Sequence, residues 1–189
     1  MSLSQDQAAE SLKEIDRTRR RSAQAWSYAH SSPFFIMWGV IWMVGYTATD
    51  FYPHYAGALW TVLMIVGFLG QMGIGRHRAR NGQLHPGMNR YAGLRMLGSF
   101  LALFGFVAAT YAVFGHVGWK QQASFVPLLT ALFYVLIGLW AGTRFVITGI
   151  AVAALTLGGF FYLPSHFLLW MAAVGGGALV LAGVWMRTV

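Results

Sequence analysis

Apolar and polar positions in this chain fall into long blocks. Six stretches of about 17 to 21 residues are almost wholly apolar: 33–49 (PFFIMWGVIWMVGYTAT), then roughly 55–74, 96–116, 124–142, 145–163 and 166–186. Each is close to the ~20 residues that an α-helix needs to cross a hydrocarbon core. The pattern predicts an all-α, polytopic integral membrane protein whose six transmembrane helices form three hairpins. Their far turns read DFYPHYAG, FGHVGWKQQASF and YLPSHF. Ser31 and Ser32 are candidate caps for the first span, with Pro33 in its first turn.

Residues 1–32 form the soluble-looking part and 33–187 the membrane domain. Ser4 and Gln7 make a capping box, and Ala8, Leu12, Ile15, Trp26 and Ala29 recur at helical spacing. Asp6, Glu10, Glu14 and Asp16 precede the basic run Arg17, Arg19, Arg20, Arg21. An amphipathic N-terminal helix of this kind lies along a headgroup layer or contacts a cytoplasmic partner. The segment has no apolar core of the sort a signal peptide carries.

Composition agrees with the blocks. Apolar residues make up 57% and charged residues 10%, too few charges to cover a water-facing surface. The net charge of +8 would suggest nucleic acid in a soluble chain. Here the position of the charges gives a different account. Lys13 and Arg17, Arg19, Arg20 and Arg21 precede the first span. Arg76, Arg78, Arg80, Arg90 and Arg95 lie between the second and third, Arg144 between the fourth and fifth, and Arg187 after the sixth. With six spans all twelve share one face, and Lys120 alone lies on the other. The positive-inside rule then places both termini in the cytoplasm of a cell inner (plasma) membrane. The partners expected are the lipid bilayer, a second copy of the chain and a cytoplasmic protein at the N-terminal helix, with no nucleic acid.

Hairpins one and three match one another. Gly39 to Trp60 and Gly149 to Trp170 have the same spacing, with Tyr52 and Tyr162 at the same offset; the middle hairpin matches poorly. Residues 145–187 carry Gly149, Gly158, Gly159, Pro164, Gly175, Gly176, Gly177 and Gly183. On these residues the membrane part resembles the small six-helix inner-membrane proteins of the HdeD acid-resistance type. That resemblance implies three Gly-rich hairpins and an association with acid stress response, without a defined activity. The charged N-terminal helix and the basic loop 76–95 depart from the pattern.

Candidate chemistry gathers in the far turns. His54, His116 and His166 each occupy one turn, and Asp50 lies four residues before His54. Around a pseudo-threefold axis they would form a Zn²⁺ or Cu²⁺ site. They would equally form a proton sensor, because close imidazoles repel once charged. Separate interfacial histidines are the plainer alternative. His77 and His85 fall in the basic loop. No HExxH motif is present, and the absence of cysteine excludes disulfides and thiolate sites.

Small residues supply a second signal. Gly67, Gly70 and Gly73, together with the pairs Ala172/Gly176, Ala173/Gly177 and Gly149/Ala153, allow close helix approach in lipid. Trp38 and Trp42 form a ridge expected to meet lipid or a neighbouring subunit. Trp26, Trp60, Trp119, Trp140, Trp170 and Trp185 lie near span ends. No ionisable residue sits mid-span, which argues against transport driven by a buried charge.

Three functions follow from the sequence. The first is a non-enzymatic sensor or regulator, with the histidines as input and the charged helix as output. The second is a passive small-solute path along hydroxyls such as Thr47 and Thr130. The third is a membrane redox protein or enzyme, for which no nucleophile–base–orienter set is visible.

Overall fold

The computed structural model describes residues 5–80, 92–115 and 118–188. Among them it is all-helical. α1 spans Gln5–Phe51, α2 Ala56–Arg80, α3 Ala92–Phe114, α4 Trp119–Ala141 and α5 Thr143–Tyr162. α6 covers Phe167–Trp185, its α-helical ends joined by a π-helical turn at Met171–Gly176. A short 3₁₀ turn, Pro53–Tyr55, links α1 to α2. Among the described residues five helical stretches are long and apolar enough to cross a membrane, and in α3 the apolar part is the shorter stretch Leu101–Phe114.

The expected helix start at Ser31–Pro33 is not there. α1 is one helix of 47 residues, about 70 Å long at 1.5 Å per residue. Residues 5–32 hold neither glycine nor proline and are rich in Ala, Glu, Gln and Arg, so nothing in them halts a helix. Pro33 should interrupt it, because proline has no N–H to give the carbonyl four residues back. Arg78, near the end of α2, fills that place. Its Nη2 donates to the Ala29 carbonyl at 3.4 Å and its Nη1 to the His30 carbonyl at 2.7 Å.

Ser32, read as a cap, is instead part of a seam. It is fully buried and its hydroxyl donates to the Gly183 carbonyl at 2.6 Å. One step along the same antiparallel pair, a Cβ on Gly39 would lie 2.8 Å from the Gly176 carbonyl oxygen. α4 and α5 repeat the arrangement: a Cβ on Gly149 would lie 2.6 Å from the Ala131 carbonyl oxygen. The small residues that matter therefore sit seven apart, at Ser32/Gly39, Gly176/Gly183 and Ala131/Gly138. That spacing is two helical turns, so it keeps one stripe against the neighbour. Close backbone packing of this kind is the cohesive force that helices use where the surroundings are as apolar as their side chains.

The hairpin match survives in three dimensions. Trp60 Nε1 donates to the Thr49 hydroxyl at 3.0 Å, and that hydroxyl donates to the Gly45 carbonyl at 2.7 Å. At the corresponding place in hairpin three, Trp170 Nε1 donates straight to the Leu155 carbonyl at 2.9 Å. Its ring lies against Gly159, which stands where hairpin one has Thr49. The same indole thus reaches the same carbonyl, directly where a glycine leaves room and through a hydroxyl where it does not.

α1 is the hub. It packs on α2, α4 and α6, and its Tyr28 and Phe35 rings meet Phe145 of α5. Trp42 is 4% exposed and faces Gly175, while Trp38 lies over Gly67. The ridge expected on lipid or on a second subunit is therefore used inside the chain: Gly67 on α2 leaves room for the Trp38 ring, and the Trp42 ring is buried against α6. α3 is attached through Tyr111 and Phe106. The Tyr111 hydroxyl donates to the Gln122 carbonyl at 3.2 Å, and both rings meet Phe125. The outer faces of α2, α4 and α5 expose large apolar residues such as Val62, Leu69, Leu139, Trp140 and Ile150.

Candidate functional site

Neighbouring helices run antiparallel, so the described basic residues are sorted between the two ends of the bundle. Arg78, Arg144 and Arg187 grip the same turns of α1, residues 28–32, from the ends of α2, α5 and α6. Lys120 lies at the opposite end, where its Nζ donates to the Phe160 carbonyl at 3.4 Å and sits 5.0 Å from the Phe160 ring centroid.

The opposite end holds the predicted histidine turns. His54 is exposed in the 3₁₀ turn, its ring edge-on to Tyr55 at 5.5 Å. His166 is exposed just before α6; its N–H donates to the Leu163 carbonyl at 3.3 Å. Asp50 is half-buried in the last turn of α1. His116 and His85 lie outside the described residues. Among the described residues no group of three or more His, Cys, Asp or Glu comes together to hold a metal ion. The hydroxyls along the helices turn inward on their own backbones. Thr61, Thr110, Thr130, Thr148 and Thr156 each donate to the carbonyl four residues earlier, at 2.7 to 2.8 Å.

The arginine end is the more constructed site. On one side of α1, Trp26 stacks on His30 at 4.6 Å between centroids, and Phe34 follows tilted against His30 at 6.0 Å. Arg78 closes this column, 5.7 Å from the Phe34 ring. Burial pushes the His30 pKa below its ordinary value, and the Arg78 guanidinium adds to that shift. Both effects favour the neutral imidazole over the charged one. On the other side Gly142 makes the one-residue turn between α4 and α5 with φ of +135°, a conformation that L side chains rarely adopt. The Tyr28 hydroxyl fits against it and accepts the Arg144 N–H at 3.3 Å, one of the donors left over at the start of α5. The Arg144 guanidinium lies 5.3 Å from the Tyr28 ring and 4.8 Å from the Trp185 ring. Its Nη1 donates to the Trp185 carbonyl at the end of α6, a favourable place for a cation. Arg187 Nε donates to the Ser32 hydroxyl at 2.9 Å.

Family models, curated proteins and solved structures give no match to this chain.

The sequence reading passed over His30, Arg78 and Tyr28 as site residues. A signal for the first two was present: Pro33 strands the Ala29 carbonyl, and a cation at the end of the next helix can reach it. His30 stands four residues from Trp26 and from Phe34, so the three share a helix face. For Tyr28 no local pattern pointed to α5, because its partners are over a hundred residues away.

Proposed function

We propose that the chain is a non-enzymatic, multi-pass protein of the cell inner membrane that acts as a sensor or regulator. In this reading six spans form three hairpins, both termini are cytoplasmic, and α1 carries a signal between the membrane and a cytoplasmic partner. The observation that supports it most is the continuity of α1. One unbroken helix has an apolar half packed in the bundle and a charged half beyond it, so a tilt at one end is passed mechanically to the other. The input would be protons or a metal ion at His54, His116, His166 and Asp50. The acid-stress association implied by the resemblance to the HdeD type agrees with such an input.

Spin labels at Ser22→Cys and Thr143→Cys test this reading, since the chain has no other cysteine. The distance between them should shift on acidification or on adding Zn²⁺. His54→Ala/His116→Ala/His166→Ala should abolish the shift. An unchanged distance in the wild-type background would refute signalling through α1, and a shift that persists in the triple variant would remove the histidines as its source.

A further inference from the structure

The arginine end carries charge that the protein's acidic side chains do not balance. The chain has five acidic side chains. Asp50 is at the far end of α1. The others precede Tyr28, the nearest being Asp16, more than three helical turns or about 18 Å away. Among the described residues, the partners of Arg144 and Arg187 are carbonyls, hydroxyls and aromatic rings. Each guanidinium is held by one edge. Arg144 uses Nη1, toward the Trp185 carbonyl and, at 3.4 Å, the Thr188 hydroxyl. Arg187 uses Nε. Nε and Nη2 of Arg144 and both Nη atoms of Arg187 have no partner among the described residues. The exposed Thr188 hydroxyl lies between Arg144 and the end of α6, donating to the Trp185 carbonyl at 2.8 Å.

We propose that this junction of α1, α5 and α6 is a binding site for the phosphodiester headgroup of an anionic phospholipid. A guanidinium presents paired N–H groups that match two phosphate oxygens. Here two such groups flank one helix end and are already positioned by their other edges, so little side-chain freedom is lost on binding. Trp185, exposed beside them, marks the depth at which aromatic residues meet headgroups. Basic pockets between helices at this level suit anionic headgroups. Two guanidiniums with no acidic side chain beside them among the described residues disfavour a choline headgroup, whose ammonium would approach them.

The site rests on the membrane reading above; partition of the full chain into a detergent phase tests that reading separately. Native mass spectrometry of the detergent-solubilised full chain, titrated with dihexanoyl phosphatidylglycerol and dihexanoyl phosphatidylcholine, tests the site. The wild type should retain phosphatidylglycerol with roughly tenfold preference. Arg144→Gln/Arg187→Gln should lose the preference. Lys120→Gln, which removes a charge at the other end, should keep it, and excess inorganic phosphate should not displace the lipid. Equal retention of the two lipids, a preference that survives the double substitution, a matching loss in Lys120→Gln, or ready displacement by phosphate would each overturn the proposal. Should the double variant fail to fold, Arg187→Gln alone and the wild-type competition still decide.

Discussion

At the scale of single residues, two kinds of position carry the account: glycines where backbones touch, and polar groups that answer an orphaned partner. Gly39 is one of the first kind, since a Cβ there would meet the Gly176 carbonyl at 2.8 Å and Val180 at 2.7 Å. Gly39→Ala should lower stability by about 1–3 kcal/mol, the usual cost of overpacking. Gly73→Ala, facing open space, should not. Thermal loss of the monodisperse peak in detergent measures both. The sequence showed that small residues would matter but suggested pairs four apart. Which of many glycines face a neighbour depends on helix rotation, and an all-apolar helix gives little rotational signal.

His30 is the second kind. Its folded pKa lies below the ordinary value near 6.5, through burial and then through Arg78. As pH falls, the undocked state takes up the proton first. The packing of this column therefore contributes fully above the ordinary pKa and is lost as pH drops through the folded value. Thermal stability should fall between about pH 7 and pH 5, and His30→Gln should flatten that part of the profile. A His30→Gln profile with the same slope would assign the acid sensitivity to other groups.

At the scale of elements, the sequence located the second, fourth, fifth and sixth apolar helices to within about six residues, because length and hydropathy are local properties, while the third, expected over about 96–116, shows its apolar stretch only over Leu101–Phe114 among the described residues. It failed at the junction between the charged helix and the first span. Ser31, Ser32 and Pro33 are good start signals, yet tertiary partners override them: Gly183 takes the Ser32 hydroxyl, and Arg78 takes the Ala29 carbonyl that Pro33 leaves together with the neighbouring His30 carbonyl. This makes a coupled prediction. Arg78→Gln should destabilise the protein by about 1 kcal/mol or more, the cost of losing a charge-assisted hydrogen bond. In a Pro33→Ala background the restored N–H serves the Ala29 carbonyl, so the same change should cost less. A double-mutant cycle on thermal unfolding measures the difference; additive effects would mean that Arg78 and Pro33 act independently.

The repeat was legible as a spacing and not as a mechanism. Gly39 to Trp60 and Gly149 to Trp170 align by counting. That the two indoles reach equivalent carbonyls, one through Thr49 and one over Gly159, depends on how the paired helices pack. Trp38 and Trp42 show the opposite failure. Four apart and apolar, they look the same to a sequence whether they face lipid or, as here, the Gly67 side of α2 and the buried face of α6.

At the scale of the molecule, the feature most legible in the sequence is the sorting of charge. Counting Lys and Arg between apolar blocks put Arg78, Arg144 and Arg187 together, and the fold brings all three to the same turns of α1. The histidine turns carried no such guarantee: sharing a face is set by parity, whereas convergence depends on how the hairpins pack. The membrane account therefore rests chiefly on the two ends of the bundle facing different compartments. Because the chain has no cysteine, single cysteines introduced at Ser22, Thr188, His54 and Lys120 can be probed with a membrane-impermeant maleimide on intact cells. The positions at His54 and Lys120 should label at once, and those at Ser22 and Thr188 only after permeabilisation. Labelling of Ser22→Cys and Thr188→Cys from opposite sides would contradict the account.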